Sequence, residues 1–247
     1  MDSMKISAIS DVHVKAPGDE ADRLLNQFLD HPEVRSSNHV LLLGDIFDLM
    51  SGQHDEYLRD YGHIFRKMDE LVKSGIQVHF FEGNHDVNLQ KLFRKFWPKE
   101  EVTSRVLPEI REWDGKTYYF SHGDEHEIHN QAYQKYKKFI NSTPLQFVAN
   151  YLMPYAVLKF VGERASVRSR KKGSKTFDEQ AVREKFREGV SQVTAGQYDF
   201  VLGGHSHVKD EFRMKGGKSL YLNNGYALRT RTFICINQHQ HSFIPLA

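Results

Sequence analysis

Five short motifs in the 247-residue chain place Asp, Asn or His directly after runs of branched and aromatic residues. Ile6 to Ser10 leads into Asp11-Val12-His13, and Val40 to Leu43 leads into Gly44-Asp45-Ile46-Phe47-Asp48. Val78 to Phe81 leads into Gly83-Asn84-His85-Asp86, and Tyr118 to Ser121 leads into His122-Gly123-Asp124. The fifth run, Phe200 to Leu202, leads into Gly203-Gly204-His205-Ser206-His207. Carboxylates, neutral imidazoles and amide oxygens are the mixed donors that divalent metals accept. On an extended backbone Asp-x-His and His-x-His turn both side chains to one side, so each pair can grip one ion or two neighbours. Two ions need a shared ligand, and Asp45, central in the order of motifs, is the expected bridge. Two metals roughly 3.5–4 Å apart can clamp a phosphoryl group and activate water near neutral pH.

Such a cluster needs strands that deliver their ends to one edge. Val40 to Leu43 reads as a strand buried on both faces, the kind whose carboxyl end carries ligands in α/β proteins. Helical spacing covers Asp19 to Leu29, about Glu56 to Lys73 with Gly75 as C-cap, and Val87 to Phe96 before Pro98. Strands follow over Val102 to Leu107, Glu109 to Trp113 and Lys116 to Ser121, the last two joined by an Asp114-Gly115 turn. The expected class is α/β: a four-layer αββα sandwich, with residues 1–122 and 198–247 forming the body. Residues 123–197 read as a helical cap inserted over the site, with helices at Gln131 to Ile140, Leu145 to Val161 and Asp178 to Val193. The last forty residues read as antiparallel strands, at Glu211 to Met214, Ser219 to Leu222, Leu228 to Ile236 and Ser242 to Ile244.

Composition is that of an ordinary globular chain, 39% hydrophobic and 27% charged, and the net charge of +2 gives no chain-wide case for nucleic acid. The lone Cys235 excludes an internal disulfide and fits a reducing compartment. The first residues show no signal-peptide pattern and no apolar run is long enough to span a bilayer, so the expected location is cytoplasmic, with no obligate protein partner evident. The second His-x-His, His239-Gln240-His241, has no preceding Gly and reads as a surface turn, while His54, His63 and His79 read as surface or satisfied core residues.

In this order, the five blocks resemble the calcineurin-like metallophosphoesterase superfamily. The resemblance implies one metal held by Asp11, His13, Asp45 and His207, and a second held by Asp45, Asn84, His122 and His205. His85 would be the histidine that donates a hydrogen bond or proton to the phosphate or leaving group, and Asp86 would orient its ring. Asp48 and Asp124 would support the ligands.

The cap differs from the body in character. Leu145 to Val161 is strongly apolar with Lys159 its one charge, and Arg164, Arg168, Arg170, Lys171, Lys172 and Lys175 follow closely. That pairing suits an amphiphile with acyl chains and phosphates, and a surface resting on anionic lipid. His122-Gly-Asp with Asn130 and Ala132-Tyr133-Gln134 resembles the UDP-2,3-diacylglucosamine hydrolases of lipid A synthesis. That resemblance implies hydrolysis to UMP and 2,3-diacylglucosamine 1-phosphate, manganese as the metal, and peripheral association with the inner membrane. Substrate contacts would come from Asn84, His85, Asn130, Tyr133, Arg164, Ser169 and Lys172. The chain departs from that family at His85, where Arg is typical, and at Asn130, where an acid is usual. The alternatives are a phosphodiesterase or nucleotide phosphatase of the same superfamily, and a non-catalytic scaffold, which would be expected to have lost ligands that are all present here.

Overall fold

The computed structural model describes residues 4–106, 108–140, 142–160, 164 and 178–247. Six strands form the first sheet, in the order β13 (Gln240–Pro245), β12 (Thr232–Asn237), β1 (Lys5–Ile9), β2 (His39–Leu43), β4 (Gln77–Glu82), β6 (Ser104–Val106). Five form the second: β10 (Lys209–Arg213), β11 (Leu220–Asn224), β9 (Phe200–Gly203), β8 (Lys116–Phe120), β7 (Glu109–Trp113). A short parallel pair, β3 (Met50–Ser51) with β5 (Asp86–Val87), lies beside the motif loops.

Side-chain alternation along the strands builds the layers. Ile6 and Ala8 of β1 and Leu41 and Leu43 of β2 face the second sheet, where they meet Phe120, Leu202 and Leu222. Ile9, Val40 and Leu42 point the other way, onto α1 (Glu20–Asp30), α3 (Asp55–Lys73) and α4 (Gln90–Phe96). Between α1 and α3 lies the single turn α2 (Pro32–Arg35). The outer face of the second sheet is covered through Val190, which packs with Tyr119, Val201 and Tyr221. The result is the four-layer αββα arrangement.

Local signals explain the helix ends. Asp19 caps α1 by accepting the Asp22 N–H at 2.7 Å. Helix α3 buries Tyr57, Tyr61, Ile64, Phe65, Met68 and Leu71 along one stripe, and the chain leaves it through Gly75 at φ +88°. Helix α4 starts later than its periodicity predicts, because Val87 pairs with Ser51 and the Glu82 carboxylate accepts the N–H groups of Asn88 and Leu89.

Between β8 and β9, which pair in parallel, lie α5 (Gln131–Ile140), α6 (Thr143–Phe147) and α7 (Glu179–Thr194), the last capped by Asp178. The helix expected over Leu145 to Val161 is not continuous. A π-helical turn occupies Val148–Leu152, Met153 turns extended as a residue before proline does, and residues 155–160 resume the helix. The C-terminal strands also depart from expectation. Strand β11 runs parallel to β9, β12 crosses back to pair with β1, and residues from Leu228 form a short helix, α8 (Ala227–Thr230), that a left-handed Arg231 ends. Among the described residues no helix is long and apolar enough to cross a membrane.

Candidate metal centre

The five motifs meet beyond the carboxyl ends of β1, β2, β4, β8 and β9. Donor atoms of Asp11, His13, Asp45 and His207 all lie within 4.8 Å of one another. His13 Nε2 stands 3.1 Å from His207 Nε2 and 3.7 Å from Asp45 Oδ2, and His207 Nε2 stands 3.4 Å from Asp11 Oδ1. A second group centres on Asn84 Oδ1, which has His205 Nδ1 at 2.9 Å and His122 Nε2 at 3.0 Å. The other oxygen of Asp45, Oδ1, lies 3.5 Å from His122 Nε2. One carboxylate therefore turns one oxygen toward each group.

These residues fit a pair of divalent cations. Two nitrogens each about 2.1 Å from one ion at a right angle stand about 3 Å apart, the spacing seen between His13 and His207. Among the described residues His13 Nδ1 is buried with no hydrogen bond, the Asp48 carboxylate standing 3.5 Å away, and burial outweighs Asp48 and Asp45 to hold the ring below the ordinary imidazole value. That keeps it neutral, the form that ligates. Burial would raise the Asp45 carboxyl, yet His122, His85 and His13 overcome it and hold it well down. Burial likewise opposes ionisation of Asp11, and His207 outweighs it. His122 is raised, burial being overcome by Asp45 and Asp11. The pocket is thus an anionic nest that draws positive charge from its own imidazoles.

Backbone geometry differs from the extended pairs expected. Asp11, His13, Asp45, His205 and His207 all adopt positive φ, between 52° and 64°. Residues in this region are strained by about 1–3 kcal/mol each, a cost that clusters at functional sites. The chain coils at five of the seven candidate ligands, Asn84 and His122 being the exceptions, so much of the convergence comes from left-handed turns rather than from strand alternation. Glycine makes the close approach possible: a Cβ on Gly83 would lie 2.2 Å from Asp45 Oδ1, and one on Gly204 would lie 2.5 Å from Asp11 Oδ2.

His85 sits at the edge of the first group, its ring centroid 4.9 Å from that of His13. Its Nδ1 donates to the Asp48 carbonyl at 2.7 Å, so that nitrogen has no lone pair for an ion. Burial lowers its pKa, but Asp45 and Asp48 overcome this and raise it above 6.5. Asp86 is a correction to the sequence reading. Its carboxylate accepts the N–H groups of Asp45 at 2.9 Å, Ile46 at 2.7 Å, Phe47 at 3.3 Å and Gly83 at 2.6 Å. It pins the two loops that carry Asp45 and Asn84, while the Asp48 carbonyl orients the His85 ring. The Asp48 side chain lies 3.5 Å from His13 Nδ1.

The remaining expected contacts separate. Tyr133 places its ring 5.2 Å from that of His205 and donates its hydroxyl to Asp124 at 3.2 Å. Asn130 is a helix cap, its Oδ1 accepting the Tyr133 N–H at 3.0 Å. Arg164 lies with its guanidinium 4.3 Å from the Phe160 ring centre. Ser169 and Lys172 lie outside the described residues. His239 and His241 face Asp114 and Glu211 at the far hairpin, and His63 pairs with Asp22.

Two supports escaped the sequence reading. Glu127 Oε1 lies 3.6 Å from His205 Nε2, the nitrogen turned away from Asn84, an arrangement that fixes a ligating ring. Burial would raise the Glu127 carboxyl, but His205, Asn130 and Lys185 bring it to about 2. The polar run Asp124-Glu125-His126-Glu127 was its one available signal. Asn224 clasps the Ser10 backbone, accepting its N–H at 3.0 Å and donating to its carbonyl at 3.1 Å, and Ser10 Oγ donates to Asp11 at 2.6 Å. Asn223-Asn224-Gly225 ends a buried strand as the other motifs do, a sixth instance of the same pattern.

Comparison with known proteins agrees with this geometry. A model of the calcineurin-like phosphoesterase family matches residues 4–209. A UDP-2,3-diacylglucosamine hydrolase of Neisseria meningitidis serogroup C (strain 053442) is 26% identical over 243 residues, covering 96% of each chain. One of Shewanella loihica is 25% identical over 209 residues, covering 83% of this chain and 82% of its own. Among solved structures, an archaeal phosphodiesterase superposes with a TM-score of 0.50 at 14% identity, covering 98% of this chain and 99% of its own. The chain belongs to the calcineurin-like phosphoesterase family and is a metal-dependent phosphoester hydrolase.

Proposed function

We propose that the chain hydrolyses the pyrophosphate of UDP-2,3-diacylglucosamine to UMP and 2,3-diacylglucosamine 1-phosphate. The observation that carries this reading is Asp45 between two donor groups, in a chain that matches hydrolases of that name over nearly its whole length. Asp11, His13, Asp45 and His207 would hold one ion, and Asp45, Asn84, His122 and His205 the other, with manganese as the metal. When bound, such ions supply Lewis acidity to phosphoryl oxygens and activate water near neutral pH.

The chain's own groups do the rest. His85 spends Nδ1–H on the Asp48 carbonyl, which leaves Nε2 to carry the proton offered to a phosphoryl or leaving oxygen. Burial opposes the charged ring, but Asp45 and Asp48 outweigh it and favour that proton. Asp86 holds the loops of Asp45 and Asn84 in register, and Glu127 holds the His205 ring. Tyr133 and the basic segment that begins at Arg164 would contact the phosphosugar.

Residues 123–197 would act as a cap over the body formed by 1–122 and 198–247. Its exposed Phe139, Phe147, Tyr151, Leu152 and Phe160 offer an apolar surface for acyl chains and for the cytoplasmic face of the inner membrane. The test is incubation with manganese and the acylated nucleotide sugar, following UMP. Release of UMP supports the reading. No release, beside turnover of a small chromogenic diester, would favour a general phosphodiesterase, the reading to which His85 in place of Arg points.

A further inference from the structure

A cavity of about 360 Å³ opens in the seam between α5, α6 and the body, and Gly83 and His122 form the wall next to the second donor group. That volume falls within the range of small-molecule sites. Asn88, Gln90 and Gln146 line it as well. Among the described residues none of their three side-chain amides has a hydrogen-bond partner. Each amide offers both donors and an acceptor, so the wall can read a ring rich in heteroatoms.

Charge narrows the ligand further. Lys137, the one lysine or arginine among the described residues lining the seam, is 2.6 Å from the Asp124 carboxylate, and Glu82 adds a second acid. Among the described residues, a second phosphate here would meet two acids and a lysine already paired with one of them. An acyl chain would strand the amides without partners. What fits is an uncharged group with several hydrogen-bonding atoms, attached to a phosphate that reaches the second donor group.

We propose that this seam cavity binds the nucleoside of a nucleoside-phosphate substrate, with the Gln90 and Gln146 amides reading its base. The assignment rests on the proposed hydrolysis of a nucleotide sugar, and it adds where the nucleoside lies. It also predicts that the half of the substrate released as nucleotide enters from the α4 side of the site.

The probe is calorimetric titration of the manganese-loaded protein with UMP and, separately, with ribose 5-phosphate, which lacks only the base. UMP should bind at least about tenfold more tightly. In Gln90→Ala/Gln146→Ala the two affinities should come within about twofold, by loss of UMP affinity alone, since two neutral hydrogen bonds are worth about that ratio. The single Gln90→Ala, at an exposed helix start, should lose part of the preference and guards against a misfolded double variant. Equal affinities in the unaltered protein would overturn the proposal, as would a UMP preference that survives both substitutions. Tight UMP binding without hydrolysis of the acylated sugar would contradict the proposed activity and leave the nucleoside site standing.

Discussion

His85 and Asp45 lie in the same small space and do different work, and the difference is in which atoms are free. Both oxygens of Asp45 face donor groups, whereas the Nδ1 of His85 is committed to a main-chain carbonyl. His85→Ala should therefore retain bound metal and lose about 10²–10⁴ in turnover, the range for a general acid or base. Elemental analysis beside steady-state kinetics checks this, and a His85→Ala protein that loses its metal would contradict the role. At this scale the donors that meet were legible because residue type is chemistry: Asp, Asn and His after a buried run announce a candidate site. The partner of a given carboxylate was not legible. Asp86 adjoins His85 in the chain, but four main-chain N–H groups from two loops take its oxygens, and only the folded backbone brings them there.

Elements position these side chains by their ends, and their interiors set the stability. Strands were readable from continuous branched runs, since a strand buried on both faces admits little else. The left-handed ligand turns were not, because neither Asp nor His declares that conformation in sequence. Strands β2 and β4 also carry a buried imidazole pair, with His39 Nδ1 3.1 Å from His79 Nε2 and Trp113 stacked 4.0 Å from His39. Burial, with Arg111, lowers His39 to about 4. Burial, with His39 and the arginines 105 and 111, lowers His79 to about 3. Both are neutral when folded, so below about pH 6.5 the unfolded chain takes up protons that the folded chain refuses. Stability is fully present above that value and is lost as pH falls toward 4 and then 3. Melting temperatures recorded from pH 7 to pH 4 should fall less steeply in His39→Gln/His79→Gln than in the unaltered protein; equal slopes would show that the pair does not contribute.

For the whole molecule, the face-to-face sheets were foreseeable from the βαβαβα rhythm followed by strands. The return of β12 to the first sheet and the parallel seating of β11 were not, because register between distant strands is set by tertiary packing that no local pattern encodes. That crossing has a consequence for the site. Asn224, at the end of β11, clasps Ser10 at the end of β1, and the second sheet delivers His122, His205 and His207 to donors carried by the first. Two sheets thus share one cluster, and Asp45 stands where their contributions meet. Metal content per chain, measured by elemental analysis after saturation with manganese and removal of excess, tests this most directly. The protein should hold two ions, and Asp45→Ala should hold neither firmly; one ion or none in a fully active protein, or two retained by Asp45→Ala, would contradict it.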